Sequence, residues 1–392
     1  MDSIRVMLDL GNGYINGVVV ANDEGKKVIL AKEMIKTKGM RKGKILDIDD
    51  FIYSINLVLD SFVKKLGGEF MEEVTIGISS PEMKIKRVSE QKRVLNTKIM
   101  KDDMEHIFDL LEESTEPNYE TIKIMQVQWI IDDHLKLKDP IGMEGRKLEL
   151  IADIFMIPKN LYNSLKEVFE KMELGDPDII PNILGAAEVT LDIDSRDLGT
   201  VLVDIGNNHT SYVVYEEGYP ILYGVLPIGG EDVTKDISIG LQIDISEAEK
   251  LKREKGIILM GDEKIEADES IDIKFLSDII AARYEEIFER INDDLRDLGK
   301  DGKLPGGIIL IGGGAKMENL DLLAKEVFKL ASFYGKDKVF SIGDLSNNLQ
   351  FINILGDYYW SNKYFDNTKS SFNLGVDFGF IKKIVKYVKD LF

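Results

Sequence analysis

The chain has 392 residues, of which 44% are hydrophobic, so it is long enough to bury the cores of two or more domains. Its net charge of −20 excludes a surface that attracts nucleic acid or anionic lipid over most of its area. It contains no cysteine, which excludes disulfides and thiolate metal sites and favours a reducing compartment. Any membrane contact must therefore be local and carried by a segment of opposite charge.

The first residues enter an apolar strand directly, without the basic and apolar segments of a signal peptide. No uninterrupted apolar run approaches the roughly 18–20 residues that span a bilayer. We therefore expect a protein that is made and kept in the cytoplasm.

Two apolar runs at the start of the chain surround a turn rich in glycine. Ile4 to Leu8 and Ile15 to Val20 are the runs, and Asp9 and the Gly-Asn-Gly turn at 11–13 lie between them. This pattern predicts a β-hairpin whose first strand leads into an aspartate.

The same pattern occurs again about half a chain later. The run Thr200 to Val203 leads to Asp204, to a Gly-Asn-Asn turn at 206–208, and to a returning strand from Thr210 to Tyr215. Repetition on this scale predicts two similar domains that face one another.

A third glycine cluster follows a strand from Ile308 to Ile311, and a helix is predicted from Asn319 onward. Strands and helices mix along the chain, which favours an α/β fold. The stretch from about Lys84 to Asp153 differs, because it combines strand-like pieces with an acidic helix from Asp102 to Glu113. It is predicted to be a small inserted α+β module. Further helices are predicted at 51–66, 161–172, 245–255 and 271–298.

Aspartates and glycines in these positions have a specific use. Turn glycines let backbone N–H groups approach phosphate oxygens closely. An aspartate at the strand end can hold a hydrated Mg²⁺ ion, which uses only one or two carboxylates. A single turn of this kind is more often just a hairpin turn, but the ordered set of three glycine turns predicts a nucleotide cleft.

The order of these motifs resembles the phosphate-1, phosphate-2 and adenosine motifs of the actin, heat-shock-chaperone and sugar-kinase superfamily. The resemblance implies an actin-like fold of two facing RNase H-like domains that binds ATP and Mg²⁺. Asp9 and Asp204 would position Mg²⁺, mostly through water, and the attacking water. The nucleotide contacts implied are Asp9, Gly11, Asn12, Gly13, Asn16, Asp204, Gly206, Asn207, Asn208, Glu249, Lys252, Gly312, Gly313 and Gly314. Without the other motifs, Glu249 and Lys252 would indicate only a solvated charged helix.

The inserted module resembles one family of this superfamily, the FtsA family, at the segment KLKDPIGMEGRKLELIADIFMIPK. The segments GMRKGKILDIDDFIYSINLVLDSFVKKLG and LPIGGEDVTKDISIGLQIDISEAEKLKREKG resemble the same family. The subdomains implied are 1A at 1–83, 163–195 and 345–375, 1C at 84–162, 2A at 196–243 and 305–344, 2B at 244–304, and a terminal helix at 376–392.

Several positions depart from the superfamily pattern. Asn16 stands where many relatives have a phosphate-facing lysine. Pro181 and Asn182 stand near the position where hydrolytic actins carry an acidic residue or glutamine that orients water, and the spacing of Glu188 does not suit that role. General-base catalysis contributes a factor of about 10²–10⁴, so slow or weak ATP turnover is expected. His209 in the second turn is interpreted as a partly exposed loop residue, with a catalytic role as the alternative.

The last segment, 376–392, has an apolar stripe at helical spacing and a basic opposite face. This combination is typical of a helix that lies in the plane of a membrane surface, and docking on the protein's own core is the alternative. The apolar residues are Phe378, Ile381, Ile384, Val385, Val388, Leu391 and Phe392, and the basic ones are Lys382, Lys383, Lys386 and Lys389.

The resemblance to the FtsA family implies a cell-division protein on the cytoplasmic face of the membrane at the division site. Its implied partners are a second copy in a protofilament, anionic lipid, and the C-terminal peptide of FtsZ, with no nucleic acid. Arg283 is the candidate contact for that peptide, and an ordinary ion pair with Glu286 is the alternative. A PilM-like pilus-assembly protein and a small-molecule kinase are the other functions considered.

Overall fold

The computed structural model describes residues 3–23, 26–67, 74–112, 116–175, 177–261, 272–338 and 348–364. The predicted membrane helix at 376–392 lies outside these residues. The chain divides into two compact units, one formed by Met1–Pro81 with Met172–Phe392 and the other by Glu82–Lys171. Within the described ranges, no helix is both long and apolar enough to cross a bilayer.

The first part of the larger unit is a hairpin, further strands and a long helix. The elements are β1 (Ser3–Leu10), β2 (Tyr14–Asp23), β3 (Lys26–Lys36), β4 (Met40–Arg41), β5 (Lys44–Ile45), α1 (Ile48–Leu66) and β6 (Val74–Ile78). Asp47 begins α1 by accepting a hydrogen bond from the Asp50 N–H, and Gly67 ends it in a left-handed conformation.

The smaller unit follows. Its elements are β7 (Lys84–Arg93), α2 (Lys101–Glu112), β8 (Tyr119–Ile131), β9 (Leu135–Leu137), β10 (Lys147–Pro158) and α3 (Lys159–Lys171). The four strands form an antiparallel sheet in the order β7-β10-β8-β9. Trp129 and Leu150 on this sheet pack with Ile107 and Leu111 of α2 in a buried core. The unit is the inserted α+β module that the sequence predicts, and its predicted helix 102–113 corresponds to α2.

The chain then returns to the larger unit. The remaining elements are β11 (Asp178–Pro181), α4 (Asn182–Thr190), α5 (Ile193–Leu198), β12 (Thr200–Ile205), β13 (Thr210–Glu216), β14 (Tyr219–Leu226), α6 (Gly230–Leu241), α7 (Ile245–Lys255), α8 (Ile273–Asp297), β15 (Gly307–Ile311), a short 3₁₀ turn (Gly314–Lys316), α9 (Leu320–Phe328), β16 (Ser332–Tyr334) and α10 (Ile352–Tyr364).

The two five-stranded sheets of the larger unit share one topology. Their strand orders are β3-β2-β1-β6-β11 and β14-β13-β12-β15-β16. In each sheet the first three strands along the chain pair with one another antiparallel. The two later strands run parallel to the first strand. Each half is therefore RNase H-like, which confirms the predicted α/β class and the predicted repeat. The finer division into subdomains remains a prediction.

Candidate nucleotide site

The first glycine turn joins β1 to β2 and places Asp9 at the end of a buried strand. Asp9 is opposite Asn16 in the hairpin register, and the Asn16 Nδ2 donates a hydrogen bond to Asp9 Oδ2 at 3.0 Å. The Asn182 Nδ2, at the start of α4, donates to Asp9 Oδ1 at 2.8 Å. Asn16 thus positions the carboxylate, whereas a lysine there would supply positive charge.

The second turn joins β12 to β13 in the same way. Asp204 is buried, and its Oδ2 accepts a hydrogen bond from Asn353 Nδ2 of α10 at 2.8 Å. Burial raises the pKa of Asp204 to about 7, although the bond from Asn353 opposes this rise, and the nearby charge of Asp9 raises the pKa further. Burial also raises the pKa of Asp9, against the bonds from Asn16 and Asn182.

The two turns meet although they come from different halves of the unit. A β-carbon on Gly13 would lie 3.0 Å from both Cβ and Cγ of Asn207. Beside them, Asn12 accepts a hydrogen bond from the Gly43 N–H through Oδ1, while its buried Nδ2 has no partner among the described residues. An unpartnered buried donor fits an anionic ligand, because an unsatisfied donor costs free energy.

Glycine is required where backbones approach one another in this site. Gly312 has φ +91°, and a β-carbon there would lie 2.3 Å from Asp204 Oδ1 and 2.5 Å from the Ile205 carbonyl oxygen. A β-carbon on Gly229, at the start of α6, would lie 2.7 Å from the carbonyl oxygens of Gly206 and Asn207. The third glycine turn is thus packed against the end of β12, beside the second hairpin.

The N-terminus of α6 belongs to the site, and the sequence analysis did not identify it. The N–H groups of Gly230 and Glu231 donate to the carbonyl oxygens of Gly206 and Asn207 at 2.9 and 2.7 Å. A helix N-terminus favours a negative ligand. The Gly-Gly pair at 229–230 before a helix is the signal that could have predicted it. Asn208, in the second glycine turn, donates a hydrogen bond through Nδ2 to the carboxylate of Glu231 in the first turn of α6.

The predicted ribose-side residues lie next to this helix N-terminus. Lys252 Nζ donates to the Gly230 carbonyl oxygen at 2.8 Å and to Thr234 Oγ1 at 2.6 Å, and it forms an ion pair with Glu249 at 2.6 Å. Burial opposes ionisation of Glu249, but the bonds from Lys252 and Thr234 hold its pKa below the usual value. The helix is therefore more than a solvated charged surface, and its contact with ribose remains a prediction.

A contact that the sequence analysis missed joins the first hairpin to α7. Arg253 Nη2 donates to the hydroxyl of Tyr14 at 3.0 Å, and the guanidinium lies 5.7 Å from the centre of the Tyr14 ring. The same arginine forms an ion pair with Glu249. Tyr14 follows the first glycine turn directly, so this contact spans from that turn to the ribose-side helix.

Three other candidate residues lie in different surroundings. The interpretation of His209 as partly exposed is wrong: its side chain is buried, and burial lowers its pKa to about 4. Glu188 forms an ion pair with Arg196 at 3.3 Å. Arg283 donates two hydrogen bonds to Asp236, at 2.6 and 2.9 Å, and also pairs with Glu286 as the alternative interpretation expected.

The residues present fit a hydrated Mg²⁺ ion with phosphate. Asp9 and Asp204 bring two buried carboxylates together, and a divalent cation would offset their repulsion. Within the described ranges, no group of three or more His, Cys, Asp or Glu side chains has the arrangement of a metal site.

Comparison with known proteins agrees with this arrangement. A model of the family "Cell division protein FtsA" matches residues 201–356, and a model of the "SHS2 domain inserted in FTSA" matches residues 81–156. Cell division protein FtsA of Bacillus subtilis is 28% identical over 84% of this chain and 77% of its own length. The chain belongs to the FtsA family. Cell division protein FtsA of Borreliella burgdorferi is 24% identical over 90% of each protein.

Solved structures show the actin-like fold of this FtsA-family chain. A PilM-PilN type IV pilus biogenesis complex covers 91% of this chain and 98% of its own, with a TM-score of 0.67 and 16% identity. MreB5 of Spiroplasma citri bound to ADP covers 93% and 98%, with a TM-score of 0.54 and 14% identity. These likenesses concern the fold alone, and they include proteins whose structures hold nucleotide.

Proposed function

We propose that this chain is an ATP-binding cell-division protein that polymerises on the cytoplasmic face of the membrane and holds FtsZ filaments there. The observation that carries the proposal is the meeting of two aspartate-glycine hairpins, at Gly13 and Asn207, beside the glycine turn at Gly312. Membership of the FtsA family supports the cell-division role.

The chain's own residues define how the triphosphate would be held. Backbone N–H groups of the two turns would contact phosphate oxygens, and the start of α6 would add a positive helix end. Bound Mg²⁺ would neutralise part of the charge of the phosphates and of the nearby carboxylates. Asp9 and Asp204 would orient the water molecules around that ion.

Hydrolysis is expected to be slow because α4 supplies no free base: its one acidic side chain, Glu188, is paired with Arg196. Asn182 stands near the position where hydrolytic actins orient water, and its amide nitrogen already donates a hydrogen bond to Asp9 Oδ1. An amide does not accept a proton at neutral pH, so Asn182 cannot act as a general base. ATP would therefore be held for long periods, which suits a structural nucleotide.

The membrane and partner roles rest on other parts of the chain. The basic, apolar segment 376–392 would bind anionic lipid, with each lysine worth about 1 kcal/mol near the surface. Arg283 would contact the C-terminal peptide of FtsZ, and a carboxylate of that peptide would then replace Glu286 or Asp236 as its partner.

Calorimetry of the full chain with ATP and Mg²⁺ tests the nucleotide part of the proposal, and the absence of any heat of association would refute that part.

Liposome flotation tests the membrane part of the proposal. The full chain should float with anionic vesicles, and a variant lacking 376–392 should not. A variant with the four lysines of that segment changed to glutamine keeps the apolar stripe and should lose only the dependence on anionic lipid. Flotation that is unaffected by both the deletion and the lysine substitutions would contradict the proposal.

Electron microscopy on lipid monolayers tests the adaptor role. With ATP, the full chain should form filaments that then recruit FtsZ, and Arg283→Ala should form filaments that recruit less FtsZ. Lys274→Ala, a change at an exposed residue near the start of α8, is the matched control. Filaments that never recruit FtsZ would favour the alternative of a PilM-like protein, whose fold is also similar to that of this chain.

A further inference from the structure

Asp357 is a buried acid that none of the family motifs assigns. It lies on α10, and its side chain is 0% exposed. Neither of its carboxyl oxygens has a hydrogen-bond partner among the described residues. Burying a carboxyl group without partners costs free energy, and a charged one costs far more.

The packing of α10 against α4 fixes where this side chain lies. A β-carbon on Gly185 of α4 would lie 2.5 Å from both the Asp357 nitrogen and Asp357 Oδ1, and one on Gly356 would lie 2.2 Å from the Gly185 carbonyl carbon. The two helices thus meet through their backbones. The Asp357 side chain therefore lies in the contact between the two helices.

Asn182 is the polar neighbour of Asp357. A β-carbon on Gly77 would lie 1.9 Å from Asp357 Oδ2 and 2.3 Å from Asn182 Oδ1, so these two oxygens are close to one common point. Asn182 Oδ1 is also buried without a partner among the described residues, because its amide nitrogen is turned toward Asp9. Two adjacent acceptors need a proton or a cation between them. A protonated carboxyl group can supply that proton, since it is both donor and acceptor.

The charges around Asp357 favour the protonated form. Burial raises its pKa well above the usual value, and the negative charges of Asp9, Asp204 and Asp178 raise the pKa further.

Two cations on strands of the first sheet are engaged with other groups of α10. Arg5 donates to Ser361 at 3.2 Å, and Lys27 lies 4.3 Å from the centre of the Tyr359 ring and 6.0 Å from that of Tyr358.

We propose that Asp357 is a positioning residue: as a neutral acid it donates its hydroxyl proton to Asn182 Oδ1 and so holds the Asn182 amide where its nitrogen donates to Asp9. The Asn182 amide thereby links Asp357 to the first phosphate turn. The effect on nucleotide rests on the proposed ATP-binding function, whereas the proton on Asp357 can be tested without nucleotide.

The first test compares unfolding of the full chain with and without Asp357→Asn, in the absence of nucleotide, between pH 5 and pH 8. Above about pH 4 the unfolded chain releases the Asp357 proton, whereas the folded chain holds it to higher pH, so the contribution of Asp357 to stability falls as pH rises. Asparagine keeps a donor for Asn182 but does not titrate. The unfolding midpoint of Asp357→Asn relative to wild type should therefore increase with pH. Asp60→Asn, at an exposed position of α1, is the matched control and should show a constant difference.

Two outcomes of this test would overturn the proposal. One is a difference between Asp357→Asn and wild type that does not change with pH. The other is a wild type that gains stability from added K⁺ or Mg²⁺ while Asp357→Asn does not, because the oxygens would then hold a metal ion and not a proton.

The second test measures affinity for Mg²⁺ and ATP by calorimetry. Asp357→Asn should stay within about threefold of wild type, while Asp357→Leu, which has no donor, should bind about tenfold more weakly, the worth of one lost hydrogen bond. Equal losses in both variants would overturn the donor role. A wild type that binds no nucleotide would defeat the proposed function, and the pH test would still decide the state of Asp357.

Discussion

Gly312 offers a quantitative test of the candidate site. The substitution Gly312→Ala places a β-carbon 2.3 Å from Asp204 Oδ1, 2.5 Å from the Ile205 carbonyl oxygen and 2.9 Å from its carbon. The carboxylate could shift, but the Ile205 carbonyl belongs to a buried strand. The new methyl group therefore pushes β12 away from the third glycine turn or moves Asp204.

The expected loss has two parts. A left-handed backbone costs an alanine about 1–2 kcal/mol, and overpacking against a fixed neighbour costs about 1–3 kcal/mol more. Gly67→Ala separates the parts, because Gly67 has φ +75° and no atom within 4 Å of its β-carbon position. Gly67→Ala should therefore lose only the stability that the left-handed backbone costs, and Gly312→Ala should lose about twice as much stability.

Urea titration of both variants, followed by circular dichroism, measures the stability loss, and calorimetry with ATP and Mg²⁺ measures binding. Gly312→Ala should also weaken nucleotide binding, since Asp204 is displaced, while Gly67→Ala should bind as wild type. Equal losses of stability, or unchanged ATP affinity in Gly312→Ala, would refute the packing assigned to the third turn.

Three further predictions concern separate parts of the chain. His209 has a folded pKa of about 4, below its unfolded value of about 6.5, so the unfolded state binds more protons between these values and the contribution of His209 to stability falls from pH 7 to pH 5. Relative to wild type, His209→Gln should therefore gain stability as pH falls over this range, measured as the urea midpoint, and a constant difference between the two would contradict the burial. Trp129→Ala should destabilise the inserted unit by about 3–5 kcal/mol, because the indole is fully buried and lies edge-on to Phe108. The resistance of that unit to proteolysis measures the loss of stability, and unchanged resistance would contradict the prediction. Tyr14→Phe removes the hydroxyl that accepts a hydrogen bond from Arg253. Release of a fluorescent ATP analogue, measured by stopped flow, should become about twofold to tenfold faster. An unchanged rate would show that the contact does not retain nucleotide.

Features governed by local chemistry were predictable from the sequence. The two hairpins follow from apolar runs around glycine turns, and the predicted helix at 245–255 coincides with α7 because its charges repeat at helical spacing. The repeated aspartate-glycine pattern was enough to predict two similar sheets, since each half must place its aspartate at the end of a central strand.

Features that depend on distant packing were not predictable. Asn182 and Asp9 are 173 positions apart, and Asn353 and Asp204 are 149 apart, yet each pair is hydrogen bonded. Only the folded chain brings such pairs together. His209 follows a turn, which suggested exposure, but neighbouring elements bury it. Asn353 gave no signal of its buried partner, because α10 carries other polar side chains, among them Asp357 and Ser361.

The contact between Gly185 and Gly356 has a mechanical consequence. The chain passes from the first sheet to the second through α4, and α10 leads it back onto the first sheet. Both crossings thus run past the contact of α4 with α10, where the two backbones approach closely. A β-carbon on Gly185 would lie 2.6 Å from the Gly356 carbonyl carbon, and one on Gly356 would lie 2.2 Å from the Gly185 carbonyl carbon, so a larger residue at either position must push the two helices apart. We expect such a substitution to disturb both connections between the sheets at once.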